Sequence, residues 1–204
     1  MLLPPFDPPQ IDDLTQYWRA CTNADVHILI LEVMHQRLTM RELADLTREA
    51  GRVIERLEIE PQPTVAPLRR MLRRITAEQH RAGPLDDPRS ALTPYSEAWQ
   101  ARESVHCFLK SQPAEADPGE TRARALPEFI ALTWHELRAR WLDIGRTKPP
   151  ELTIEQRLML EAVQTRRALR KFARLARAAE AAAPDSADAK LLRLAIEAEV
   201  DRVA

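Results

Sequence analysis

Glycine is scarce, with four residues in a chain of 204. So few leave little for tight turns and nothing for a glycine-rich phosphate loop. Cysteine is limited to Cys21 and Cys107. Such isolated thiols make neither a four-thiolate zinc site nor a disulfide framework, and they read as reduced, buried residues. No apolar run reaches membrane-spanning length. The N-terminal MLLPPFDPPQ lacks the basic region and apolar core of a secretion signal. The expectation is therefore a cytoplasmic protein without membrane contact. A dominant charge is missing too, because 30 Lys and Arg face 31 Asp and Glu. A nucleic-acid coat protein would be strongly basic, so any contact with nucleic acid must come from a local face. Alternating apolar and polar residues bounded by turns, the mark of strands, are not found.

What is present reads as all-α and globular. Hydrophobic residues make up 45% and charged residues 30%, too apolar for a disordered chain. Ala, Leu, Glu and Arg dominate. About eight helices are predicted: 11–22, 25–37, 40–58, 65–81, 95–110, 122–145, 153–183 and 186–203. They divide into a Pro-rich segment at 1–10, a helical body at 11–147 and a C-terminal helical hairpin at 148–204.

The densest apolar block opens the most informative stretch. Val26, Ile28, Leu29, Ile30, Leu31, Val33 and Met34 suit a buried helix, with Asp25 as a plausible N-cap. Thr39 stands three residues before Glu42, as in a capping box, and predicts a new helix after a corner at Leu38. Two readings of 40–58 follow. Leu43, Leu46, Ala50, Val53, Ile54 and Leu57 fit one amphipathic helix, with Gly51 inside at a cost of about 1 kcal/mol. A break at Ala50–Gly51 is the alternative. LTMRELADLT followed by RVIERLE then resembles the helix-turn-helix of DNA-binding regulators, with Ala44 and Ile54 as its small and branched core positions. The resemblance spans 26–59. It departs from the motif at Arg48, where glycine is usual, and at Glu49, where an apolar residue is usual. It implies Arg41, Arg48, Arg52 and Arg56 as nucleic-acid-contacting residues.

Pro61, Pro63 and Pro67 predict a stiff connection. Beyond it, Arg69, Arg70, Arg73 and Arg74 fall between inward Leu68, Met71, Leu72 and Ile75, in the most basic short segment. A later helix repeats the device, with Arg166, Arg170 and Arg174 at helical spacing. Such arginines suit phosphate contact, although a solvated surface is the plainer reading. Leu126, Phe129, Ile130, Trp134, Leu137, Trp141 and Ile144 form a stripe that must be buried in the fold or against a partner.

One chemical pattern recurs. Glu32 with His35, and Glu103 with His106, are both Glu-x-x-His. Two such helices and further carboxylates build the di-metal site of ferritin-like bundles. No Ser–His–Asp or Cys–His set can be assigned, so no catalytic residue is named and enzyme activity is the minority expectation. The leading expectation is a non-enzymatic regulatory or assembly protein that contacts nucleic acid and needs no cofactor. A protein-interaction or adaptor module is the second. It would bind a protein partner or form a homo-oligomer through the 129–144 stripe or the C-terminal hairpin. The di-metal protein is the third.

Overall fold

The fold was obtained as a computed structural model, which describes residues 3–57, 62–83, 126, 129–145 and 151–203. Among these, six helices and no strands are found: α1 (Ile11–Ala20), α2 (Ala24–Leu57), α3 (Gln62–Ala82), α4 (Trp134–Gly145), α5 (Ile154–Ala182) and α6 (Ala187–Arg202). The all-α class expected from composition is what the chain adopts. The expected helix at 95–110, with Glu103 and His106, lies outside the described residues.

Helix α2 differs most from expectation. It runs unbroken for 34 residues, across the predicted corner at Leu38 and through Gly51, as the single-helix reading of 40–58 expected and the alternative break at Ala50–Gly51 did not. Its start is set by Asn23 and not by Asp25: the Asn23 side chain accepts from the Asp25 N–H at 3.0 Å. Thr39 is no cap, because its hydroxyl lies 3.2 Å from His35 Nε2 on the preceding turn. Gly51 has a helical environment with nothing within 4 Å of where a Cβ would stand. The continuous apolar face Leu43, Ala44, Ala50 and Ile54 outweighs one glycine's entropy. The helix-turn-helix is therefore absent, and with it the reading helix at 52–58.

Helix α3 starts at Gln62 and takes in Pro67, so the proline connection is shorter than predicted. A proline this near the start deletes only one intrahelical bond. The 122–145 prediction is also shortened, since Phe129–Thr133 are not helical. The Glu136 N–H donates to the Thr133 hydroxyl at 3.3 Å, and the Glu136 carboxylate accepts from the Thr133 N–H at 2.7 Å. This reciprocal cap starts α4 at Trp134. The stripe consequently does not share one face: Leu137 is buried, whereas Ile130 is 88% exposed.

The helices enclose two apolar clusters. One joins Met40, Leu43, Ala44, Ala50 and Ile54 of α2 to Val65, Leu68, Met71 and Ile75 of α3. Leu169, Phe172 and Ala176 of α5 and Leu192 and Ile196 of α6 complete it. The other joins Leu14 and Tyr17 of α1 to Leu29, Ile30, Val33 and Met34 of α2, with Leu132, Leu137, Leu158, Met159 and Ala162. Leu158 of α5 belongs to this second cluster and does not pack on α6, and Leu191 of α6 is 53% exposed. Thr153 caps α5 in a complete capping box with Gln156, and Ser186 caps α6. Each cap satisfies N–H groups that have no partner inside their helix.

Candidate functional site

Between the two apolar clusters lies a layer of buried polar groups. Glu32 of α2 and Arg166 of α5 are the centre of its first half. Arg166 donates from Nε and Nη2 to the two Glu32 oxygens at 2.6 and 2.8 Å. Nη2 also donates to the Leu132 carbonyl at 2.6 Å, which ties the 129–133 segment to the bundle. Gln36 Nε2 donates to Glu32 Oε1 at 2.8 Å. Arg166 was expected on a phosphate-contacting face; it is 1% exposed and spent on Glu32. Its position is dictated by helical phase, since 162, 165, 166 and 169 share the inward side of α5.

The second half is built on Glu161 of α5, which is fully buried. Arg81 of α3 donates to both its oxygens, at 2.6 and 3.0 Å, and reaches Glu78 at 2.8 Å. Arg37 of α2 is 4% exposed. Its Nη2 donates to the Pro9 carbonyl at 2.5 Å and lies 3.8 Å from Glu161 Oε1, beyond hydrogen-bond length. Burial pushes the Arg37 guanidinium below its ordinary pKa, the Arg81 charge does the same, and Glu161 opposes both. Sequence reasoning missed Arg37, Arg81 and Glu161. The readable signal was the apolar phase itself, because Glu161 stands three residues after Leu158 and Arg37 four residues after Val33.

The carboxylate–histidine idea fares differently at its two copies. Glu32 is engaged by Arg166 and Gln36. His35 Nε2 instead meets Glu199 of α6 at 2.8 Å. Burial pushes the Glu199 carboxyl up, but the His35 hydrogen bond and the charges of His35 and Arg202 outweigh it and leave the group below its ordinary value. The first pair thus does not converge on a shared metal position. Glu103 and His106 lie outside the described residues. Among the described residues, no group of three or more His, Cys, Asp or Glu is placed to hold a metal ion.

The remaining arginines are on the surface. Arg48 pairs with Asp45, and Arg52 with Glu49 at 3.0 Å, both within α2. Arg69 of α3 pairs with Glu55 of α2 at 2.7 Å, so the two helices' outer faces adjoin. Arg56, Arg70, Arg73 and Arg74 are exposed, and no carboxylate is paired with them among the described residues. Arg41 lines a cavity between α2 and the C-terminal turn of α3. On α5, Arg170 stacks over the Trp134 ring at 4.8 Å, beside Arg166 at 5.3 Å, and Arg174 is exposed. Arg166 is therefore removed from the predicted basic face of α5, and Arg170 is partly engaged.

No family model, curated protein or solved structure matches the chain. No helix among the described residues is long and apolar enough to cross a membrane.

Proposed function

We propose that the protein is a non-enzymatic regulatory or assembly factor that contacts nucleic acid through the outer face of α2 and α3. The observation that carries this reading is the group of exposed arginines on α3, Arg70, Arg73 and Arg74, with no ion-pair partner among the described residues. On α2, by contrast, the exposed Arg48 and Arg52 are paired with acids one turn away. Helix α3 has a single acid, Glu78, turned toward Arg81. Arg56 extends the face onto α2, and the Arg52 and Arg69 pairs beside it are exposed. Exposed pairs are worth roughly 0–1 kcal/mol, so phosphate oxygens can displace them. A continuous α2 offers no separate reading helix, so the contact is with backbone and carries little sequence preference.

The test is fluorescence anisotropy with labelled duplex and single-stranded DNA and RNA. Four phosphate contacts give a salt slope of about −3.6 on duplex, or roughly a hundredfold loss of affinity between 50 and 200 mM salt. Replacing Arg56, Arg70, Arg73 and Arg74 by Gln should abolish binding and flatten that slope. Absence of binding even at low salt would remove this reading.

A second reading has its own observation. Leu191 and Leu194 of α6 are 53% and 48% exposed and one helical turn apart. They support an adaptor role, in which α6 docks a protein partner or a second copy of the chain. Light scattering across concentration separates the homo-oligomer from the monomer, and Leu191→Lys with Leu194→Lys should abolish any association.

A further inference from the structure

The two flanks of α6 are committed to its neighbours. Toward α5, Arg193 is bonded to Glu180 and Glu197, and Arg177 donates to Glu197 at 2.7 Å. Toward α2, Glu199 meets His35 at 2.8 Å. Leu192 and Ile196 fill the core between them. The opposite side of α6 carries Ala187, Leu191, Leu194 and Ala198, all exposed, at steps of four, three and four residues. These are the steps of a coiled-coil seam, where apolar side chains recur about every 3.5 residues.

Two properties of this stripe point to what covers it. The first is its order, since Ala-Leu-Leu-Ala at these steps reads the same in both directions. A second α6 laid antiparallel sets Leu191 against Leu194 and Ala187 against Ala198, each pair formed twice about a two-fold axis. The second property is charge. Lys190 and Asp201 are exposed and have no ion-pair partner among the described residues. With Glu197 they share one flank of the stripe, and a two-fold pairing sets that flank against its own copy. In this register Lys190 is level with Ala195 of the second copy. At a rise of about 1.5 Å per residue, Glu197 and Asp201 of that copy lie about 3 and 9 Å further along. They lie on the side toward which Lys190 leans, because helical side chains tilt toward their own N-terminus, and the two carboxylates lean back toward it. Glu197 is already shared by Arg177 and Arg193, so Asp201 is the carboxylate free for Lys190. A parallel pairing would instead set Lys190 against Lys190 and Asp201 against Asp201.

We infer that α6 is the interface of an antiparallel homodimer, closed by Ala187, Leu191, Leu194 and Ala198 and clamped by Lys190 against Asp201 and Glu197 of the second copy. This dimer is one particular form of the α6 docking described above and rests on that reading. Four apolar side chains per copy make a small interface, so association is weak, with a Kd on the order of 0.1 mM.

Sedimentation velocity of the full chain between about 10 µM and 1 mM should show a monomer–dimer equilibrium. Lys190→Glu and Asp201→Lys should each weaken it at least about threefold, since the pair occurs twice and an exposed pair is worth a factor of up to about five. The two substitutions together should restore it to within about twofold. Orientation is read from disulfide formation, with Cys21 and Cys107 replaced by Ser. Ala187→Cys mixed with Ala198→Cys should give a product that joins one variant to the other, and neither variant alone should cross-link. All four positions are exposed, so circular dichroism should find every variant folded. A monomer at about 1 mM overturns the dimer and removes the second copy from the docking reading. A dimer that cross-links through Ala187→Cys alone or Ala198→Cys alone, or that Asp201→Lys leaves unchanged, overturns the antiparallel interface while the docking reading stands.

Discussion

Removing Arg166 should destabilise this protein as strongly as a large apolar truncation in its core. Arg166→Met deletes three hydrogen bonds, two to Glu32 and one to the Leu132 carbonyl. It leaves Glu32 fully buried, with Gln36 as its only donor. Breaking one partner of a buried pair costs about 3–5 kcal/mol, because the charge left behind has no water. For a chain of this size each kcal/mol moves Tm by about 2–4 °C, so the fall should be roughly 6–20 °C. Glu32→Leu should behave alike, since it strands Arg166, whose Nη1 already has no partner. The double variant Glu32→Leu with Arg166→Met is the decisive one. It strands no charge and leaves only two neutral groups, Gln36 Nε2 and the Leu132 carbonyl, unmet. Its cost should be below that of either single variant plus the other, with a coupling of roughly 2–3 kcal/mol. Urea titrations followed by circular dichroism measure all three. Single losses under about 1 kcal/mol that simply add would show the two groups to be solvated, and would refute the buried pair.

Gly51→Ala should stabilise the protein by about 0.5–1 kcal/mol, since the Cβ meets nothing within 4 Å and the backbone is helical; a loss of similar size in the urea midpoint would restore a turn at 51 and break α2. Glu199 has a pKa below its ordinary 4.5 in the folded protein. Its stabilising contribution is then complete above that value and is lost as pH falls through the lower folded value. Glu199→Gln should accordingly differ from wild type at neutral pH and converge with it in acid, in urea midpoints taken between about pH 3 and 7; a gap that stays constant with pH would refute the His35–Glu199 bond. Thr153→Ala removes the cap of α5 and should cost about 1 kcal/mol, read from the same unfolding curves.

Helical class and most helix positions were legible because they depend on local periodicity. The helices expected at 153–183 and 186–203 and the inward Leu68, Met71 and Ile75 all follow from signals within one helix. The failures share a cause. Thr39–Glu42 is a sound local capping signal, and Gly51 a sound local break signal, yet α2 passes through both. Each signal is worth about 1 kcal/mol. Burying Met40, Leu43, Ala44 and Ile54 against α3 and α5 is worth several times that, at about 1.5–3 kcal/mol for each large side chain. Tertiary packing therefore decided between two readings that local sequence left open. Arg166 shows the same limit in another form. Its spacing from Arg170 and Arg174 said only that the three lie near one side of a helix, not which of them meets Glu32 across the bundle.

The polar layer also bears on why the bundle takes one arrangement. Both apolar clusters are made mainly of Leu, Ile, Met and Ala, side chains that tolerate sliding by a turn with little change in area buried. The Glu32–Arg166 and Arg81–Glu161 bonds do not tolerate it, because a slip of one turn leaves three buried charges, Glu32, Arg166 and Glu161, unmet. The layer thus fixes the register of α2, α3 and α5 relative to one another. Arg37 is the member that contributes least to this, with one backbone bond and a distant carboxylate. Its charge is nonetheless held inside the layer, bonded to the Pro9 carbonyl and 3.8 Å from the buried Glu161 carboxylate.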